Sequence, residues 1–223
     1  MEQPEFPMRI NRYLALQGHA TRRGADELIK KKAVFVNGRL AALGDKVTAT
    51  DKVEVKFRSK PTPVAYFAYN KPKGIAIQEA ENKAGVFPVG GLEKESRGLV
   101  ILTNDGRITE KLLSSAYRHE REYVVVTKNR LRSSFKAKME AGVNIEDQRT
   151  KKCRVKIMDE NKFRVVVNEE IRNQIRRMCV ALFQEVEDIQ RVRIMNIQLG
   201  VMKAGAQRKI EGEELATFLA NLQ

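Results

Sequence analysis

Arginine spacing supplies the first chemical signal. In Ile171-Arg-Asn-Gln-Ile-Arg-Arg-Met-Cys-Val-Ala-Leu-Phe, the apolar residues Ile171, Ile175, Met178 and Leu182 recur at helical spacing, which predicts a helix over 171–183. Arg172 and Arg176 are four apart and share one flank of it, while Arg177 points to the other. Guanidinium groups paired on one flank can grip a carboxylate or phosphate bidentately; the competing reading is a solvated basic face. A second cluster, Arg9, Arg12, Arg22 and Arg23, surrounds the starts of two further predicted helices. A lone pair there would be read as solvated helix ends. Residues 8–60, however, carry 13 Lys/Arg against 5 Asp/Glu, which makes phosphate contact the better reading.

Other chemistries have no residues to carry them. Cys153 and Cys179 cannot build a disulfide framework, and their spacing is not that of a zinc motif, so no metal is expected. Cys179 reads as core. His19 and His119 lie far apart in sequence. His119, beside Arg118 and Arg121, reads as a hydrogen-bonded structural histidine before a contact to a polyanion. There is no P-loop, GxGxxG, HExxH or GxSxG. Met1–Glu5 has no basic region followed by an apolar one, so no signal peptide is expected. No apolar run approaches the roughly 20 residues of a membrane span. A cytoplasmic protein with no membrane contact is the expectation.

These residues need a scaffold, and composition allows one. The 223 residues are 42% hydrophobic, enough for a core, and the net charge of +14 points to a polyanion, nucleic acid before membrane. Ser59-Lys60-Pro61-Thr62-Pro63 reads as a linker between a short unit, 8–58, and a longer one, 64–223. In the short unit, Ile10, Tyr13 and Leu14 suit a first helix. Thr21 is a good N-cap for a second, Arg22–Lys31, although Gly24 leaves its capping box incomplete. Val34-Phe35-Val36 leads into Asn37-Gly38, a tight-hairpin pair, and Asp51–Phe57 alternates like a strand. The longer unit offers strands at Val64–Tyr69, Leu99–Thr103, Glu122–Thr127, Cys153–Met158, Phe163–Val167 and Arg191–Met195. Helices are predicted at Ile108–Ser115, Ser133–Ala141, 171–183 and Gly212–Leu222, and Asn104-Asp105-Gly106 reads as a plain turn. The pattern predicts an α+β fold with a mainly antiparallel sheet.

Longer motifs carry a resemblance. Met8-Arg-Ile-Asn-Arg-Tyr-Leu, Thr21-Arg-Arg-Gly-Ala-Asp-Glu-Leu-Ile and Val34-Phe-Val-Asn-Gly resemble an S4 RNA-binding domain. Asn70-Lys-Pro-Lys-Gly, the run from Phe87 to Gly106, Arg121-Glu-Tyr-Val-Val and Asn173-Gln-Ile-Arg-Arg-Met-Cys resemble, in order, the motifs of the RsuA family of ribosomal-RNA pseudouridine synthases. Thr150-Lys-Lys-Cys and Arg191-Val-Arg-Ile-Met-Asn look most like its RluF branch, which acts on large-subunit rRNA. The resemblance covers about residues 8–219 and implies a twisted antiparallel sheet with a central RNA-binding cleft.

That family isomerises uridine to pseudouridine with no metal or cofactor. The N-glycosidic bond breaks, the uracil turns, and its C5 joins C1′ of the sugar. One carboxylate is needed close to the sugar, as nucleophile or as base. The nucleotide must be flipped out, at a cost of about a few kcal/mol. The resemblance implies that Tyr123 stacks on the uracil and handles protons, and that Arg176 pairs with the carboxylate. It puts the carboxylate at Glu93, in Gly90-Gly91-Leu92-Glu93, where the family has Gly-Arg-Leu-Asp. Gly91 thus replaces an arginine that helps occupy the space left by the flipped base, and Glu93 replaces the aspartate. Asn173 stands where the family has arginine. An extra methylene moves a carboxylate by about 1 Å, and misplacement on that scale can cost roughly 100-fold. Two readings follow: a working synthase using Glu93, Tyr123 and Arg176, or a catalytically silent homologue that binds rRNA and assists ribosome assembly. The expected RNA contacts are Arg9, Arg12, Arg22, Arg23, Asn37, Lys73, Arg172, Arg177 and Arg191. A monomer with a mobile S4 domain is expected.

Overall fold

The computed structural model describes residues 6–20, 22–56, 63–77, 85–113, 119–146, 148–169 and 171–222. Thr21, linker residues 59–62, Phe57, Ser115 and Arg118 lie outside the described residues, as does the Arg23 side chain. The chain divides into two compact units, Met1–Ala65 with Thr103–Glu110, and Tyr66–Leu102 with Lys111–Gln223.

In the first unit, strand β1 (Met8–Arg9) leads into helix α1 (Ile10–Leu16), then α2 (Arg22–Lys30), β2 (Val34–Val36), β3 (Arg39–Leu40), β4 (Lys46–Val47) and β5 (Val53–Val55). β2 lies between β3 and β5, antiparallel to both, and β1 pairs with β4. Met8, Ile10, Leu14, Ala25, Ile29, Val34 and Val47 form the core that the apolar spacing required. Asn37 (φ 51°) and Gly38 (φ 79°) both take the left-handed conformation that a two-residue hairpin demands. The Asn37 amide donates to Asp51 Oδ1 (2.7 Å), and its oxygen accepts the Lys52 N–H (2.8 Å). Both polar atoms of the side chain therefore already hold partners. Asn37 closes a turn at an exposed position. The turn at 104–106 does more than reverse the chain. Asn104 accepts from the Ala65 N–H (2.8 Å) and donates to the Pro63 carbonyl (2.9 Å), while Arg107 grips the buried Asp105 carboxylate at 2.8 and 2.7 Å.

The chain goes on through β6 (Tyr66–Lys71), β7 (Phe87–Val89), β8 (Arg97–Thr103), α3 (Arg107–Leu113, which begins in the first unit), β9 (Arg121–Thr127), α4 (Phe135–Glu140), β10 (Asn144–Ile145) and β11 (Gln148–Arg149). It continues with β12 (Arg154–Asp159), β13 (Lys162–Val167), α5 (Gln174–Ala181), β14 (Val186–Ile194), β15 (Ile197–Gln198), β16 (Gln207–Lys209) and α6 (Gly212–Ala220). Among the described residues these give a nine-stranded sheet in the order β12-β13-β9-β14-β8-β6-β16, with β15 beside β14 and β7 beside β8. β9 is antiparallel to β13 and β14, whereas β14 and β8 run parallel. The α+β class with a mainly antiparallel sheet is as expected.

Helices α4 and α5 cover one stretch of this sheet. Phe135, Met139, Ile175, Met178 and Cys179 pack with Val125, Phe163, Val165 and Ile189, and Ile171 and Leu182 join at the edge. The apolar face read from the sequence is thus the buried one. The helix itself is shorter than predicted. Asn173 sits at φ 56° and ψ 25°, a left-handed residue that no right-handed helix can include, so α5 starts at Gln174. Arg172 precedes the helix, and its predicted helical pairing with Arg176 does not form. The parallel β8–β14 pair requires Gly98. At φ +109°, a Cβ there would lie 2.3 Å from the Arg191 carbonyl oxygen.

Candidate active site

The sheet and the start of α5 enclose a cavity of about 710 Å³. Its walls include the loop Gly91–Ser96, Arg121 and Tyr123 on β9, Val167 on β13, Ile189 on β14, and Ile171–Arg176. Glu93 projects from the loop, with its side chain 28% accessible. One oxygen, Oε2, meets Arg176 Nε at 3.5 Å and accepts the Ser96 hydroxyl at 3.2 Å. Arg176 is also oriented by the Val186 carbonyl (3.4 Å). The carboxylate and arginine brought together are the pair that the sequence resemblance implied. Tyr123 lines the same cavity, with its ring body packed toward Val100 and Leu102. A half-buried anion beside a fixed cation, next to a phenol, can work on a polar ring drawn into the cavity.

The loop that carries Glu93 is tied from beneath by two buried cations. Lys71 is fully buried, and its ammonium donates to the carbonyls of Pro72 (2.9 Å), Ile75 (2.8 Å) and Lys94 (3.2 Å). The Gly74 N–H adds a bond to Lys94 O at 2.8 Å. Arg191, 1% exposed, donates from Nε to Leu99 O (2.6 Å) and from Nη1 to Gly91 O (2.7 Å). A buried charge must be satisfied by such acceptors or its desolvation cost stays unpaid. Arg191 is therefore an internal brace, which corrects its expected role as an RNA contact.

Sequence reasoning missed Lys71 and Ser96. Lys71 ends β6, whose alternation breaks at Asn70 and Lys71, both buried, so periodicity carried no signal. A serine three residues after a glutamate offered only the weak hint of a turn, which the Ser96 N–H to Glu93 O bond (3.1 Å) closes.

The other expected contacts divide. Arg172 lines the cavity. Arg177 turns to Glu146 at 2.7 Å and is not among the cavity's lining residues. Lys73 is exposed and donates to Glu187 O at 2.9 Å. In the first unit, Arg9, Arg12 and Arg22 surround a hollow of about 420 Å³ together with Asn11 and Lys46, the last not foreseen. His119 is buried, with Nε2 3.1 Å from Lys111 O. Burial pushes the Cys179 thiol up to about 12 and the Cys153 thiol up to about 11, so neither supplies a thiolate near neutrality.

Known proteins share this arrangement of sequence and fold. The sequence pattern of the RNA pseudouridylate synthases matches residues 65–181, and that of the S4 domain matches residues 8–53. The dual-specificity RNA pseudouridine synthase RluF of Escherichia coli K12 is 35% identical over 95% of this chain and 78% of its own length. The Salmonella typhi RluF is 36% identical over 93% of this chain and 77% of its own. The ribosomal large subunit pseudouridine synthase B of Bacillus subtilis is 29% identical, over 95% and 96% respectively. A crystal structure of a pseudouridylate synthase covers 97% of this chain and all of its own, with TM-score 0.70 at 23% identity, and so shares the fold. With its central segment matched from Ala65 to Ala181 and an S4 domain ahead of it, the chain belongs to the RNA pseudouridylate synthase family.

Proposed function

We propose that this chain isomerises a uridine of large-subunit ribosomal RNA to pseudouridine, with Glu93 as the carboxylate that works at the sugar. One observation carries the reading: Glu93 Oε2 lies 3.5 Å from Arg176 Nε inside the cavity that Tyr123 also lines. RNA phosphates hold the chain through Arg9, Arg12, Arg22 and Arg23 in the first unit and through Arg172, Lys73 and Arg177 in the second. These contacts and stacking on Tyr123 offset the cost of extracting the base. Arg176 holds the carboxylate turned toward the sugar. Glu93 then acts as nucleophile or as base while the N1–C1′ bond breaks; the rotated uracil closes its C5 onto C1′, the C5 proton is released and N1 takes up a proton. The names of the RluF and large-subunit relatives support the choice of RNA. In this reading the chain acts as a cytoplasmic monomer and uses no metal or cofactor.

Release of hydrogen from C5-tritiated uridine in rRNA tests the reading. Wild type releases it and Glu93→Gln does not.

The substitutions at Gly91 and Glu93 favour one other reading, a silent rRNA-binding homologue. It requires tight RNA binding, no release by wild type, and release appearing in Glu93→Asp.

A further inference from the structure

The connection from β9 into α4, Lys128-Asn-Arg-Leu-Arg-Ser-Ser-Phe-Lys-Ala-Lys138, contains five cations and no acidic residue. Lys128 pairs with Glu185, and Arg130 with Glu160 at 3.7 Å. Among the described residues, Arg132, Lys136 and Lys138 have no carboxylate partner, and all three side chains are exposed. Phe183 has 77% of its surface open, and the Arg132 guanidinium lies over its ring at 5.5 Å. Bonds from the Phe183 N–H to Val180 O (2.9 Å) and from the Gln184 N–H to Cys179 O (2.8 Å) fix the backbone that presents this ring.

The position along α5 gives the patch a meaning. Arg176 lines the cavity, Val180 is four residues on and 63% exposed, and Phe183 follows three later. Residues four apart share a helix flank, so Arg176 and Val180 form one track from the cavity along α5, and Phe183 follows just beyond the helix end at Ala181. The helix spans about 10 Å from Gln174 to Ala181, so the ring lies beyond a single flipped nucleotide. An exposed aromatic face joined to a guanidinium plane, on a segment with further exposed and unpaired cations, is the chemistry that stacks an unpaired base and holds its phosphates.

We propose that Phe183 and Arg132, with Lys136 and Lys138, form a second RNA contact that stacks an unpaired base flanking the target uridine. The proposal rests on RNA being the partner and does not depend on Glu93 being catalytic.

The chain contains no tryptophan, so Phe183→Trp places a single fluorescent reporter at the patch. Titration of that variant with a uridine-rich single-stranded oligoribonucleotide is expected to quench its emission saturably. Phe183→Ala is expected to bind large-subunit rRNA about fivefold or more weakly, with binding restored in Phe183→Tyr. The double variant Lys136→Ala/Lys138→Ala is expected to lower the slope of log affinity against log salt by about 1.4, at ~0.7 per phosphate contact of a single strand. Wild-type affinity in Phe183→Ala together with no quenching in Phe183→Trp would overturn the proposal. Weaker binding in Phe183→Ala but no tritium release by wild type upholds this contact and defeats the catalytic reading. Loss of all rRNA binding by wild type defeats both.

Discussion

Glu93 shares one oxygen between Arg176 and Ser96, and this sharing determines what each neighbour is worth. The Ser96 hydroxyl donates to the carboxylate, so Ser96→Ala should lower kcat while leaving RNA affinity unchanged. One hydrogen bond of 3.2 Å corresponds to about 1 kcal/mol, or roughly fivefold. Single-turnover kinetics against filter binding separates the two quantities. An equal fall in both would mean that the serine supports the loop and not the carboxylate. Arg176→Lys should cost more, because an ammonium cannot reproduce the guanidinium that reaches both Glu93 and Val186 O. The pair was legible in the sequence only through motif resemblance, since Glu93 and Arg176 are 83 positions apart and no spacing rule joins them. Lys71 and Arg191 were not legible as braces. Each looks like a surface cation in sequence, and only the carbonyls that converge on it reveal its burial.

At the scale of elements, the parallel contact between β8 and β14 controls how the Glu93 loop meets α5. Gly98→Ala sets a methyl 2.3 Å from the Arg191 carbonyl at a φ of +109°, so the strands must separate. Overpacking and left-handed strain together should cost about 3 kcal/mol or more, read by urea denaturation. A neighbouring ladder gives a pH signature. Burial alone would raise the carboxyl pKa of Glu122, but Arg193 at 2.7 Å and Arg164 at 2.9 Å outweigh it and hold the group below its usual range. A carboxylate depressed in the folded state contributes stability above its unfolded pKa of about 4.3 and loses it as pH falls through the lower folded value. Wild type should therefore lose stability between about pH 5 and the folded pKa more steeply than Glu122→Gln, as thermal melts across that range would show. Strands in this region lie close to where the sequence predicts them, but their ends differ. β14 begins at Val186, five residues before its predicted start, because Val186-Glu-Asp-Ile-Gln is held by pairing with β9 and not by its own pattern. The early end of the helical reading at 171–173 has a comparable cause, a single left-handed asparagine.

Across the whole molecule the charge of +14 is distributed between two units that each gather cations around a hollow. The first unit's density was plain from composition, and Arg9, Arg12 and Arg22 do converge, with Lys46 added from a strand too distant in sequence to have been foreseen. Replacing those three arginines by alanine should lower the salt slope of rRNA binding by about 2, at ~0.7 per phosphate contact, while the catalytic rate at saturating RNA stays near wild type. A slope unchanged by the triple variant would remove that unit from RNA binding.

The longer side chain of Glu93, paired with Arg176, is the group proposed to work at the sugar. The most direct test of that role is hydrogen release from C5-tritiated uridine in large-subunit rRNA, measured for wild type and Glu93→Gln at concentrations that saturate binding of both. The account predicts release by wild type and release at background by Glu93→Gln, with both proteins bound to the RNA. Equal release by the two proteins would contradict it.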